Sequence, residues 1–351
     1  MIRARGDSVG PETRAASHAD AAPVPAAPVP AAPVPAGAIE APAIAALLAA
    51  ETGLRARLGE PLAPHTTMRV GGPADLFLEA RSVDALVSAI GSARGHGISL
   101  FVLGRGSNLV VSDRGIRGLV VLNRTADLTI VGDRLTAASG VPLAKAATAA
   151  GRAGLSGLEF GLAIPGSVGG AVWANAGAHG SDVSAVLEAV ELLRPDGARA
   201  TVPAVDLGLS YRDSRLKRQR PPRQDVVLSA AFALARSSVV EVAARADEIK
   251  RWRRAHQPLT EPSAGSIFRN PPGDSAGRLI DEAGMKGAVI GGAMISGRHA
   301  NFIVNARGAT ASDVRRLADL ARERVGSSFG VDLVFEVEFA GDWSGWSEEA
   351  K

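Results

Sequence analysis

The 351-residue chain contains no cysteine. Disulfides, thiolate metal sites and thiol nucleophiles are thereby excluded, and the composition suits a reducing compartment. Aromatic residues make up only 4%, with a single Tyr, too few to interleave with basic residues as a base-stacking surface for single-stranded nucleic acid requires. Excess charge of either sign is also lacking: 39 Lys and Arg stand against 36 Asp and Glu, a net charge of +3. The charge balance therefore makes no case for a nucleic-acid partner. A basic loop at 212–223 and basic residues at Lys250–Arg254 would be the footprint of such a partner, but without the aromatics. No apolar run is long enough to span a bilayer, and no apolar signal-peptide core follows the first basic residues, so a cytoplasmic protein without membrane insertion is expected. No metal-ligand set is nominated.

Proline and glycine, by contrast, are concentrated. Residues 21–35 repeat AAPVP. Proline at that density denies helix and sheet their donors, so residues 1–42 are expected to form a disordered tail, with folded sequence from about Ala43. Beyond it the pattern alternates. DLFLEA and SLFVLG flank a helical stretch carrying Val83, Leu86, Val87 and Ile90, a β-α-β start. Short strands follow, LVVSD, GLVVLN and a hairpin over LTIVGDRLTAA turned at Gly132-Asp133, then a second hairpin over 186–202 turned at Pro195-Asp196-Gly197. A basic loop precedes the strand VVLSAAFAL; after it come a helix ending at Pro258, a helix over 310–325 and a strand DLVFEVEF. The fold class is α+β, divided as 43–122, 123–236 and 237–341, with 342–351 as a C-terminal tail.

Three segments carry candidate chemistry. In LGRGSNLVVSD, Gly104, Gly106, Ser107 and Asn108 form a sharp turn whose N–H groups suit an anion, or simply a tight connection. A Rossmann fingerprint is excluded, because Leu109 occupies the third glycine position and a strand follows where a helix should begin. GLEFGLAIPGSVGGAVWANAGAHG, residues 157–180, holds seven glycines and almost no charge, which suits close backbone approach to a planar or phosphate-bearing ligand, or a buried crossover. EPSAGSIFRNPPG places Ser266 after a glycine among prolines, but Ala264 breaks the G-x-S-x-G pattern of a nucleophile elbow. Taken alone, Ser266 reads equally as a turn serine.

Together with HTTMRVGGPADLF, YRDSRLK, HQPLTEPSAGSIFRNP, GMKGAVIGGAMIS, HANFIVN and VDLVFEVEFAG, the first two of these segments complete an ordered set, from about residue 50 to 341, that resembles the UDP-N-acetylenolpyruvoylglucosamine reductase family. The resemblance implies a two-lobed FAD-binding fold of the vanillyl-alcohol-oxidase (PCMH) type plus a C-terminal α+β substrate-binding domain. It implies that NADPH passes hydride through FAD to an enolpyruvyl ether, giving UDP-N-acetylmuramate for peptidoglycan. Arg69, Gly104, Gly106, Ser107 and Asn108 would then hold FAD, with Ile164, Pro165, Gly166, Ser167, Gly169 and Gly170 lining the flavin. Ser266 would donate the proton, beside a catalytic Arg212 and Glu336; strand alternation alone does not choose between Glu336 and Glu338. Tyr211, His256 and Asn270 would contact substrate. The family's long class carries an inserted substrate-stacking tyrosine, for which VVLSAAFALARSSVVEV leaves no room, so the chain resembles the short class and its uridine contacts are not named. His256 stands where the long class has a lysine near the diphosphate. FAD is expected to be non-covalent, the chain lacking Cys, with His179 the one linkage candidate in the glycine-rich segment; a monomer is expected. A flavin oxidase acting on a sugar or alcohol is the alternative on the same fold.

Overall fold

The structure, a computed structural model, describes residues 41–346. The expected N-terminal tail lies outside them except for its last two residues, which begin the helix Ala41–Thr52. Pro42 is tolerated there because a first-turn N–H has no intrahelical partner.

The first part is a sheet and one covering helix. Strands Arg57–Pro61, Pro73–Ala80, Ile116–Asn123 and Leu100–Leu103 lie in that spatial order. Helix Val83–Gly95 is capped by the Ser82 side chain and buries Leu86, Ala89, Ile90 and Ala93, one face at helical spacing. The expected β-α-β unit is present with a difference: its two strands do not touch, and both pair in parallel with Ile116–Asn123 between them. That strand ends in five consecutive buried residues, Leu119–Asn123, as a central parallel strand requires.

The second part is an antiparallel sheet, ordered Arg199–Pro203, Leu187–Leu193, Val226–Ala233, Arg134–Ala138, Leu128–Val131. Both expected hairpins are present, with Val131 opposite Arg134 and Leu193 opposite Arg199. Gly132 and Gly197 supply the positive φ angles, 66° and 87°. Helix Leu143–Arg152 was not among the expected elements, although the residues it buries, Leu143, Ala146, Ala147 and Ala150, keep helical spacing.

In the third part, helix Val239–His256 opens with a Ser238–Glu241 capping box and stops before Pro258. Helix Ala311–Phe329 opens on a Thr310–Asp313 box and ends at Gly330, φ 68°. Its buried face packs with Ser263–Ser266, Phe302–Asn305 and Ala293–Ile295, in a core that also takes in Met68, Val70 and Val110 from the first part. The expected strand DLVFEVEF is mostly irregular; only Glu338–Ala340 forms a strand, parallel to Leu109–Val111. Residues 342–346, assigned to a tail, are instead docked: Ser112 Oγ donates to the Asp342 carbonyl at 2.6 Å, and the Arg315 guanidinium lies against Phe339, Trp343 and Trp346. We propose the same three divisions for the folded chain. Residues from all three line one cleft of about 2780 Å³.

Candidate active site

The cleft's two glycine-dense walls touch. Gly104 approaches the second wall so closely that a Cβ there would lie 2.5 Å from Ser167 Oγ, and Arg105 Nε donates to the Pro165 carbonyl at 2.7 Å. Gly106 has φ 59°, and a Cβ there would collide with the His65 carbonyl oxygen. In the second wall, Ser167 caps the helical turn Val168–Trp173, and Gly169 N–H donates to the Ser139 carbonyl at 2.8 Å. Ile164, Pro165, Gly166 and Gly170 line the cleft beside Ser107 and Arg69, the latter at φ 57°. Bare backbone on two facing loops, in a space this large, fits a dinucleotide cofactor such as FAD.

Asn108 has a second task. Its Nδ2 donates to the Glu336 carbonyl at 3.0 Å, and its own carbonyl accepts the Glu338 N–H at 2.9 Å. The residue expected to cradle a cofactor thus also clamps the segment that bears Glu336.

Arg212 sits at φ 56°. Nε donates to Glu336 Oε1 at 2.7 Å and Nη2 to the Gly177 carbonyl at 2.6 Å, so the guanidinium spans the C-terminal segment and the glycine-rich wall. Glu336 N–H in turn donates to the Ile267 carbonyl at 2.8 Å, which sets the glutamate beside the residue following Ser266. Ser266 ends the strand Ser263–Ser266 and lines the cleft; among the described residues its hydroxyl has no hydrogen-bond partner. A turn serine would have bonded its own backbone. The three nominated catalytic residues are therefore brought together by bonds linking segments far apart in sequence.

The choice between glutamates is sharper than alternation suggested. Both face cations: Glu336 pairs with Arg212, and Glu338 pairs with Lys217 Nζ at 2.7 Å. Lys217 also lies 5.0 Å from the Trp173 ring centroid. The Ser214 hydroxyl donates to the Trp173 carbonyl at 2.5 Å and accepts from Lys217 N–H, closing the turn Arg215–Arg218 that presents the lysine. Beyond the YRDSRLK motif itself, no sequence signal marks this second pair.

The remaining nominations divide. Tyr211 lines the cleft, 52% exposed, with the Arg212 guanidinium 5.1 Å from its ring. Asn270 lines it too, but its Oδ1 accepts from Ala276 N–H at 3.1 Å, which ties it to the start of the next helix. His256 packs on a residue that lines the cleft, Trp252, and does not itself line it. One helical turn beyond Trp252, it stacks on that indole at 4.6 Å and its Nδ1 bonds the Trp252 carbonyl.

Three further cleft residues were missed. Burial, and next the charge of Lys286, hold the His299 imidazole below the usual histidine range. Burial likewise lowers Arg253, which has no carboxylate partner among the described residues and binds Leu162 O and Gln257 Oε1. Trp252 is 42% exposed. His299 opens the HANFIVN motif, but the string alone does not mark it as a cleft residue; Trp252 and Arg253 fall in no quoted motif.

Two family descriptions match the chain: an FAD binding domain over residues 74–202, and the C-terminal domain of UDP-N-acetylenolpyruvoylglucosamine reductase over 257–340. The UDP-N-acetylenolpyruvoylglucosamine reductase of Bacillus pumilus is 42% identical over 84% of this chain and 97% of its own length. That of Bacillus subtilis is 44% identical over 80% and 93%. The crystal structure of the reductase from Thermus caldophilus, 38% identical, superposes with a TM-score of 0.70 over 82% of this chain and 99% of that one. The architecture is thus the two-lobed FAD-binding fold of the vanillyl-alcohol-oxidase (PCMH) type with a C-terminal α+β substrate-binding domain. Likeness over almost the full length of these relatives, together with a cleft that gathers the family's motif residues from all three parts, establishes that the chain belongs to the UDP-N-acetylenolpyruvoylglucosamine reductase family.

Proposed function

We propose that this protein reduces UDP-N-acetylglucosamine enolpyruvate to UDP-N-acetylmuramate, with NADPH as hydride donor and FAD as carrier, in peptidoglycan precursor synthesis. The observation that carries the reading is the linkage of Arg212 to Glu336 and of Glu336 to the segment of Ser266, inside the cleft walled by the two glycine-dense loops.

The chemistry FAD supplies when bound is relay of hydride from NADPH to the terminal vinyl carbon of the substrate. Gly104, Gly106 and the 164–170 wall would hold it. Hydride addition leaves the electron pair on the carbon bearing the carboxylate, delocalised as an enolate. Arg212 faces that charge; Glu336 and the Gly177 carbonyl fix the guanidinium so that it need not reorganise as charge develops. Ser266 Oγ–H gives its proton to the carbon and recovers one from solvent. A hydroxyl suffices because the enolate is a strong base, and having no hydrogen-bond partner among the described residues leaves it available. Net, one hydride and one proton saturate the double bond.

We take FAD to be bound without a covalent link, the chain having no Cys, and the protein to act as a cytoplasmic monomer. Among the described residues, no helix is long and apolar enough to cross a membrane. The oxidase alternative is not favoured, the relatives being named as reductases.

The test is the absorbance spectrum. The purified protein should be yellow, bleach with NADPH under nitrogen, and recover its colour on addition of the enolpyruvyl substrate. No recovery would overturn the assignment, and oxygen consumption with sugars in the absence of NADPH would favour the oxidase. Acid precipitation should release the flavin; colour retained in the pellet would point to a covalent bond, with His179 the first place to look.

A further inference from the structure

The proposed substrate carries a uracil ring at the end remote from its reacting carbon, and the catalytic residues leave that ring without a partner. We propose that Trp252 is the stacking platform for that uracil, with His179 as its perpendicular wall. The inference rests on the substrate class of the reductase reading.

Trp252 lines the cleft, yet 42% of it is exposed. The part of the indole that its neighbours leave open is available for a ligand ring to pack on. His256 stacks against it at 4.6 Å with 17° between planes, and His179 stands edge-on at 5.0 Å and 88°. The indole is therefore held in one orientation by a ring on each of two elements, helix Val239–His256 and the loop after Gly177–Ala178. Two perpendicular aromatic planes form a corner that fits a flat base: one ring takes its face, the other its edge.

Position supports the same assignment. Arg212, at the reacting end, bonds the Gly177 carbonyl. The strand Gly177–Ala178 leads directly into the turn that carries His179, φ 54°, and His179 touches Trp252. Contacts thus link the catalytic arginine, through Gly177 and His179, to Trp252. Arg253 follows Trp252 in the helix; it is half-buried, lines the cleft and lacks a carboxylate partner among the described residues. A diphosphate is the partner such a cation suits. Tyr211 is the other well-exposed aromatic in the cleft, but the Arg212 guanidinium lies 5.1 Å from its ring, which puts it at the reacting end.

The experiment is calorimetric titration of the FAD-loaded protein with UDP and, separately, with NADP+, in wild type, Trp252→Ala and Trp252→Tyr. Trp252→Ala should weaken UDP binding by about tenfold, as loss of a base-stacking ring does, and Trp252→Tyr should recover most of it. In turnover, Trp252→Ala should raise KM for the UDP-sugar with kcat within about twofold, since stacking acts equally on ground and transition states. Unchanged FAD content and melting temperature would show that the variant folds. UDP affinity equal to wild type in Trp252→Ala, or a loss confined to NADP+, would overturn the proposal while leaving the reductase reading intact. A wild-type protein that binds no UDP would overturn both.

Discussion

Arg212 and Glu336 stand 124 residues apart in sequence and 2.7 Å apart in space, Nε to Oε1. Each is also anchored through its own element, Arg212 to the Gly177 carbonyl and Glu336, by its backbone, to Asn108 and Ile267. The pair therefore joins the glycine-rich wall to the segment carrying Ser266, and holds the guanidinium in place before any charge develops on the substrate.

Arg212→Lys should lower kcat by about 10² to 10³, the usual cost of losing a fixed electrostatic donor. An ammonium keeps the charge but lacks the planar fork that spans Glu336 and Gly177. Steady-state kinetics on protein with full FAD content would measure it; a loss below about fivefold would mean that charge alone suffices.

Ser266→Ala should bind FAD and be bleached by NADPH at close to the wild-type rate, while return of colour with the enolpyruvyl substrate slows by about 10² to 10⁴. Ser266→Cys should retain part of that rate, since a thiol can donate from the same place. Stopped-flow absorbance separates the two halves. Equal recovery in Ser266→Ala and wild type would leave the hydroxyl without a catalytic role.

Gly106→Ala should lose bound FAD and stability together. Left-handed backbone costs an L-residue about 1–2 kcal/mol, and here the added methyl also collides with the His65 carbonyl oxygen. Gly132→Ala is the control: its φ is +66° with nothing within 4 Å of the new Cβ, so only the strain term applies and FAD stays bound. Flavin-to-protein absorbance ratios and melting curves for the two variants test the difference.

His299 should make stability fall with acid. Its folded-state pKa lies below the ordinary histidine value because burial, then Lys286, disfavours the imidazolium. The unfolded chain consequently binds more protons in the window below about pH 6.5, the unfolded-state value. The stabilisation is complete above that value and is lost as pH falls toward and through the folded-state value. Melting temperature between pH 7.5 and 5 should drop less in His299→Gln than in wild type, and parallel curves would refute this.

What local sequence decided is what depends on near neighbours. Hairpins at Gly132-Asp133 and Pro195-Asp196-Gly197 follow from turn chemistry, and the helices after Ser82, Ser238 and Thr310 from caps and spacing. The family was legible for the same reason: its motifs are contiguous strings, read without knowing what they touch. The alanine-rich helix Leu143–Arg152 went unread although its buried residues keep helical spacing, and the extended run around Glu336 was over-read as strand because apolar alternation does not reveal whether a partner edge exists. Only the tertiary structure decided which residues meet. It paired Glu336 with Arg212 and Glu338 with Lys217, gave Asn108 its hold on the catalytic segment, and stacked His256 on Trp252. Each of these contacts joins side chains whose direction is set by packing of elements far apart in the chain, or by the pitch of one helix against its neighbours. No pattern of adjacent residues encodes that direction.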